Sequence, residues 1–370
     1  MSVHKRELPF CRPESVIMQP TTLCNLDCRY CYLPFRRRRL EMPLSVARAV
    51  ATSVEAWTHT QTIEICWHGG EPLAIGMERL GRLMDCFAGL DVAHGIQTNG
   101  TLIDDGWCEF FTERQVHVGV SVDGPAADNE QRVTLAGNAT FERTLRGIAK
   151  LIEHHHEVSI IAVVSDPTPA RAHRLLEFAA TLGISQLGIN LEEQEGVNEV
   201  SNARDLEMVI EFWTALTNAW AANPSLRVRE INRALTYLGH VLDQHDLTRM
   251  PGFIDPLPTI AHDGAVTLIS PELAGFSSAR LGPFSCGNVL DSPLDELLEH
   301  GLRSRWVNEF RDGVSACQAS CAYFGFCGGG QPANRHFEHG RFDNTLTNYC
   351  RNSKIALLEG VIRSGRDRIA

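Results

Sequence analysis

The sequence predicts an α/β protein, a partial (β/α)6 barrel of parallel strands followed by a small cysteine-rich domain. Three observations predict it. Short apolar runs alternate with longer stretches of helical periodicity six times between residues 16 and 222. Four of those runs end in loops rich in cysteine, glycine or small polar residues, and parallel sheets of this kind bind ligands at the carboxyl ends of their strands. Seven of the twelve cysteines fall in two groups, one near each end of the chain.

Val16 to Met18 is the first strand, and Pro43 to Trp57 the first helix, because Leu44, Val46, Ala47, Val50, Ala51 and Val54 recur at helical spacing. Ile63 to Trp67 then alternates and stops at His68-Gly69-Gly70-Glu71-Pro72, as a strand ending in a glycine turn does. His94 to Thr98 with Leu102 to Arg114, and Val116 to Val122 with Thr140 to His156, repeat the unit. Val158 to Ser165 with Thr168 to Leu182, and Gln186 to Leu191 with Ala203 to Ala222, complete six. Residues 226–258 hold one helical stretch, Val228 to Leu242, and then Pro251, Gly252, Pro256 and Pro258, which reads as a bridge. The expected division is therefore 1–225, 226–258 and 259–370. The last part opens on Thr259 to Thr267, a hairpin with an Asp-Gly turn, and continues with a helix from Pro293 to Phe310.

A chain of 370 residues with 44% hydrophobic and 21% charged residues has the composition of a soluble globular protein with ample core. No run is long and apolar enough to span a membrane, and Met1 to Arg12 lacks the apolar centre of a signal peptide. A cytoplasmic location is expected. A net charge of −11 argues against a nucleic-acid binder and leaves a basic peptide as a partner. Twelve cysteines without an export signal point to metal rather than disulfides. Cys11, Cys66, Cys86 and Cys108 read as packing residues, and Cys286 stays open. The run Arg36 to Arg39 is either solvated or a contact for carboxylates. His154, His155 and His156, adjacent on a helix end, cannot converge on one ion.

Cys24, Cys28 and Cys31 stand in a C-x3-C-x2-C spacing just after the first strand. Soft thiolates so close together favour an iron–sulfur cluster, and three ligands leave one iron open. Zinc normally takes a fourth protein ligand, and no Cys or His follows within several residues. Near the other end, Cys317, Cys321 and Cys327, with Cys350 at a distance, could close either zinc or a cluster. Beyond the sixth strand, Glu192, Glu193 and Glu195 are either a solvated loop or a recognition group at the barrel mouth.

Tyr30 and Tyr32 around the third cysteine resemble the cluster loop of radical S-adenosylmethionine (SAM) enzymes. Trp67 to Pro72, Gln97 to Asp105, Ser270-Pro271-Glu272-Leu273, Cys321-Ala322-Tyr323-Phe324 and Cys327-Gly328-Gly329-Gly330 extend the likeness over nearly the whole chain. Together they resemble the radical SAM/SPASM peptide maturases, closest to the GRRM-type cyclophane-forming family. The resemblance implies a TIM-like barrel of the radical SAM type and a SPASM-like domain. It implies a SAM-binding 4Fe-4S cluster on Cys24, Cys28 and Cys31, and SAM contacts from Gly69, Gly70, Glu71, Asn99, Ser121 and Arg132. It also implies a second, auxiliary 4Fe-4S cluster on Cys317, Cys321, Cys327 and Cys350, favoured over zinc because only iron can relay an electron.

Full SPASM domains carry seven cysteines; Ser270 and Gln331 stand where two would sit, so the first auxiliary cluster is expected to be absent, with Cys286 its only remnant. No segment resembles a leader-recognition domain. The implied partners are a precursor peptide and an external electron donor such as flavodoxin or ferredoxin. The implied reaction abstracts hydrogen from a substrate β-carbon with a 5′-deoxyadenosyl radical and joins that carbon to a nearby aromatic side chain. Loss of one electron and one proton then restores aromaticity, and Glu192, Glu193 and Asp263 are the expected proton acceptors by position. Thioether formation, epimerisation and sulfatase-type oxidation on the same scaffold are alternatives, and a zinc scaffold that binds peptides without turnover is the remote one.

Overall fold

The computed structural model describes residues 12–222, 224–243 and 255–367. The readings placed on residues 1–11, Cys11 included, and on Pro251 and Gly252 lie outside the described residues. The barrel runs β1 (Ser15–Met18), α1 (Leu44–Thr58), β2 (Ile63–Trp67), α2 (Met77–Met84), β3 (Val92–Thr98), α3 (Asp105–Glu113), β4 (His117–Ser121), α4 (Phe141–Glu153), β5 (Val158–Val164), α5 (Pro169–Leu182), β6 (Gln186–Leu191) and α6 (Leu206–Ala222). β1 to β6 pair in order and all in parallel, which is the open α/β barrel expected. On β5, Val158, Ile160, Ala162 and Val164 are buried and alternate with half-buried neighbours, so one face packs inward.

Three elements differ from expectation. The segment between β2 and β3 carries α2, whose Leu80, Leu83 and Met84 are buried; eight residues after a glycine are too few for the 3.6-residue period to stand out. Arg227 and Val228, read as the start of a bridge, form β7 (Arg227–Val228) beside β6 and lead into α7 (Arg229–Leu242). The expected helix from Pro293 to Phe310 divides into α8 (Leu294–Leu302) and α9 (Arg305–Ser320), with Ser304 as the N-cap residue of the second.

The predicted hairpin is present as β8 (Thr259–Ile260) and β9 (Ala265–Thr267), followed by β10 (Ser277–Ser278), β11 (Gly282–Pro283) and β12 (Ser285–Asn288). β8 lies parallel to β1, so one sheet runs β12-β9-β8-β1-β2-β3-β4-β5-β6-β7. α10 (Phe324–Cys327), α11 (Pro332–His339), α12 (Asn348–Cys350) and α13 (Ala356–Asp367) follow. α13 crosses α6 closely: a Cβ on Gly360 would stand 2.5 Å from Trp213 Cβ, and Trp213 Nε1 donates to the Asn352 carbonyl at 3.0 Å. The C-terminal part also has its own small core, in which the rings of Phe284, Trp306 and Phe342 pack at 5.3–6.0 Å between centroids. Among the described residues no helix is long and apolar enough to cross a membrane.

Candidate active site

The cysteine loop after β1 is clamped by groups other than its thiols. The Asp27 and Arg29 amides donate to the carbonyls of Val133 and Gln131, and the Cys24 amide to that of Arg36. Arg36 and Arg37 bracket the Asp27 carboxylate at 2.8 and 2.5 Å, so half of the arginine run holds this loop. Tyr30 explains its place before the last cysteine: its hydroxyl donates to Asp123 Oδ2 at 2.7 Å and accepts from Arg132 at 2.6 Å, tying the loop to the end of β4.

The glycine turn after β2 closes the other side. Gly70 has φ +59°, and a Cβ there would meet the Leu23 carbonyl oxygen at 2.5 Å. Its need is contact with the cysteine loop itself, through which the Glu71 amide reaches Leu23 O at 2.8 Å. Gly69 likewise abuts Gln19. The Glu71 carboxylate is buried and accepts from Thr98 Oγ1 at 2.6 Å, the Asn99 amide at 2.8 Å and the Leu73 amide at 3.1 Å. Burial nevertheless pushes its carboxyl up. Thr98→Val removes one of three donors from a buried acid, which costs about 1–3 kcal/mol. A correspondingly lower melting temperature is expected, and an unchanged melt would mean that the Thr98 bond carries nothing.

One cavity of about 590 Å3 opens at the carboxyl ends of the strands. It is lined by Cys24, Cys28 and Cys31, by Gly70, Glu71, Asn99, Ser121 and Arg132, and on its far side by Glu192, Glu193 and Glu195. Asn99 uses its amide within the protein, donating to Asn25 Oδ1 and accepting from Thr101; Ser121 accepts from Gln97 Nε2. Arg132 is buried, and its Nε has no hydrogen-bond partner among the described residues. The three thiols are pushed up by burial, Cys24 to about 12.

Asp263 does not join the others. It sits exposed in the β8–β9 turn, where its carboxylate accepts from the Ala265 amide at 3.2 Å, away from the cavity lining. The Asp-Gly pair makes a turn there rather than a site. The solvated-loop reading of the acidic group is also corrected. Asn334 of α11 donates to both Glu193 Oε2 at 2.6 Å and Glu195 Oε1 at 2.7 Å, and Glu192 and Glu195 are buried. Burial pushes both bridged carboxyls up, Glu193 to about 7 and Glu195 further.

Tyr32, His68, Glu272, Tyr349 and Lys354, to which sequence reasoning assigned no place in the site, line the same cavity. The Tyr32 hydroxyl lies 3.2 Å from His68 Nε2, whose ring is pushed down to about 4 by burial. His68 and Glu272 lay inside motifs already singled out. Tyr349 and Lys354 arrive from the C-terminal segment with no local signal.

Cys317, Cys321, Cys327 and Cys350 come together around a second, smaller hollow. Gly328, Gly329 and Gly330 all take positive φ and turn the Gly329 and Gly330 amides toward Cys327. Cys350 donates to Cys327, whose thiol is pushed down to about 6 while that of Cys350 is pushed up. The buried Arg335 donates to Cys317 Sγ at 3.4 Å. Gln331 lines both hollows, so the two share a wall. Cys286 stands apart from both, bonded to the Val266 carbonyl and packed against Gly301.

Among the described residues no three His, Cys, Asp or Glu groups are gathered on a single ion. Thiolate sets of three and four suit clusters, in which each ligand binds a different iron, and the unpartnered Arg132 Nε suits a carboxylate beside the first. An open parallel barrel with such a loop at its mouth defines a cluster-dependent α/β-barrel enzyme. Residues 18–179 match the model of the Radical SAM superfamily. An uncharacterized protein, sll1766, of Synechocystis sp. is 32% identical over 356 residues, 91% of this chain and 88% of its own length. The chain belongs to the radical SAM superfamily, which implies a 4Fe-4S cluster and SAM. A serine-type anaerobic sulfatase-maturating enzyme of Bacteroides thetaiotaomicron is 35% identical over 170 residues, 43% of this chain and 41% of that enzyme. The solved structure of native anSMEcpe with bound AdoMet and Cp18Cys peptide shares the fold, with a TM-score of 0.71 at 21% identity, over 96% of this chain and 97% of that one.

Proposed function

We propose that this enzyme matures a ribosomally made precursor peptide by joining an aromatic side chain to the β-carbon of a nearby residue, forming a cyclophane. One observation carries the reading: a single cavity reaches from the three thiols to the bridged Glu193–Glu195 pair and shares the Gln331 wall with the four-thiol hollow. Oxidative carbon–carbon coupling needs a hydrogen acceptor, a proton acceptor and an electron acceptor along one path. When bound at Cys24, Cys28 and Cys31, the cluster with SAM supplies a hydrogen-abstracting 5′-deoxyadenosyl radical, and a second cluster on Cys317, Cys321, Cys327 and Cys350 would supply an electron acceptor.

The chain's own residues do the rest. Arg132 would hold the SAM carboxylate, while Glu71 and Asn99 hold the loops that carry the thiols. Ser121 retains a hydroxyl proton to donate into the cavity. Glu193 takes the proton released as aromaticity returns, and Glu195, pushed further up by burial, stays protonated beside it. In this scheme residues 1–225 bind SAM and substrate, 226–258 join the parts, and 259–370 house the second cluster. A reducing cytoplasm suits a chain with this many free thiols, and flavodoxin or ferredoxin would supply the first electron.

Anaerobically reconstituted enzyme, SAM, dithionite and the peptide encoded beside the gene test the reaction. The expected product lacks two hydrogens and carries an aryl-to-β-carbon bond in fragment spectra. The sulfatase-maturating relatives favour one rival, oxidation of a Ser or Cys in a protein substrate. That product carries an aldehyde, so capture by a hydrazide reagent without a cross-link would decide for the rival.

The proton acceptor has a pH signature. An acid pushed up is protonated below its shifted value, so single-turnover cross-linking should fall as pH drops through about 7. Glu193→Gln should lower that rate by ~10²-fold or more, the usual scale for a lost general base, and flatten the profile. A wild-type rate with an unchanged profile in this variant would assign the proton elsewhere.

A further inference from the structure

We propose that the concavity beside α7 binds an acidic, extended segment of the peptide substrate flanking the residue that reacts. The inference rests on the peptide-maturase reading. The concavity, of about 430 Å3, lies where β7 and α7 meet the loop of α10. Arg227 of β7 and Arg229, Arg233 and His240 of α7 line it; among the described residues no Asp or Glu does, and Arg229 alone of the three arginines is shown paired with an acid, Glu230 at 2.6 Å. Such a patch on a chain of net charge −11 is a local feature with a sign of its own. Arg229, Arg233 and Tyr237 recur at four-residue spacing, so one helix face presents them together. Arg233 Cζ stands 5.6 Å over the Phe326 ring, which packs at 5.4 Å from that of Tyr237. The guanidinium therefore sits against a rigid aromatic wall.

Position distinguishes the occupant. Arg229 and Arg233 line both this concavity and the main cavity, so a chain seated here continues directly toward the thiols and the Glu193–Glu195 pair. Guanidinium groups bind carboxylates through paired hydrogen bonds, and a hollow of about 430 Å3 seats a few residues of extended chain. A globular electron carrier needs a broader face, about 800 Å2 per partner in a standard interface. The inner cavity is acidic and the outer hollow basic, so the substrate is expected to change charge along its length.

The test uses reconstituted enzyme with SAM under anaerobic conditions and two fluorescein-labelled peptides of equal length. Both carry a Gly-Tyr-Gly-Arg core; one has four Glu before it and the other four Gln. Fluorescence anisotropy at low salt should give at least tenfold tighter binding for the Glu peptide. The double variant Arg227→Glu with Thr236→Glu sets two carboxylates against the two remaining guanidiniums and so cancels the charge of the hollow without touching a cavity residue, and should reduce that preference below threefold. Should its melt reveal misfolding, Arg227→Gln alone should still reduce the preference by about threefold. Equal binding of the two peptides to wild type, or a preference that survives the substitutions, overturns the proposal. So does a variant that loses oxidised flavodoxin while keeping the peptide preference, because the hollow would then seat the carrier. Product mass is scored separately: loss of two hydrogens from both peptides without an affinity difference sinks the groove and leaves the maturase reading intact. A charge preference with no modification of either peptide supports the groove while counting against the reaction.

Discussion

Replacing Cys24, Cys28 and Cys31 together with Ala is expected to bring 5′-deoxyadenosine production down to the protein-free background. The three thiols are the only soft donors lining the main cavity among the described residues, and no carboxylate or imidazole set there is gathered to replace them on iron. The loop itself should survive. Its shape is held by the Asp27 clamp from Arg36 and Arg37, by the Tyr30–Asp123–Arg132 chain, and by backbone pairing with residues 131–133. Iron in the variant should fall to what the second thiol set retains, with the thermal melt near that of wild type. Because burial pushes the free thiols up, loading must release protons and is favoured by alkaline reconstitution. Undiminished SAM cleavage in the triple variant would refute the ligand assignment.

Cys321→Ala is expected to leave SAM cleavage within about twofold of wild type while cross-linked peptide falls at least ~10-fold, by the logic that removing one role of several lowers one observable alone. The main core runs from the barrel strands into α8 and α13, and a second one packs Phe284, Trp306, Val307, Phe310 and Phe342, neither resting on Cys321. Cys321 lies at the end of α9, half-buried, so its truncation opens no large void. On the proposed reaction, electron transfer out of the adduct would be the step at risk. Near wild-type yield of cyclophane would remove the relay role. A staple role predicts otherwise: the melt itself would drop, and Cys321→Ser, which keeps the side-chain volume, would drop it too.

The first thiol group and the strand positions were legible because both are short-range properties of the chain. Three thiols within eight residues form a loop that one strand end can present, and a period of two or of 3.6 residues is written in neighbouring positions. Thus Ile63 to Trp67 and Gln186 to Leu191 appear where expected. α2 escaped because eight residues are too few for a period to declare itself. Gly70 was legible as a special position, yet its reason, the Leu23 carbonyl 2.5 Å from where a Cβ would stand, belongs to a partner loop.

Solvation was not legible at all. Glu193 and Glu195 share their sequence neighbourhood with an ordinary surface loop, and Asp263 stands in a turn that could equally have faced the cavity. What separates them is Asn334, 141 and 139 residues further on, which bridges the two glutamates and seals them from water. Composition set the total charge at −11, but the chain's return along α7 and α11 sorted it into an acidic interior and a basic hollow. A residue's type and spacing are its own. Its dielectric surroundings, and hence its proton affinity and its chemistry, come from whichever distant segments the fold packs against it.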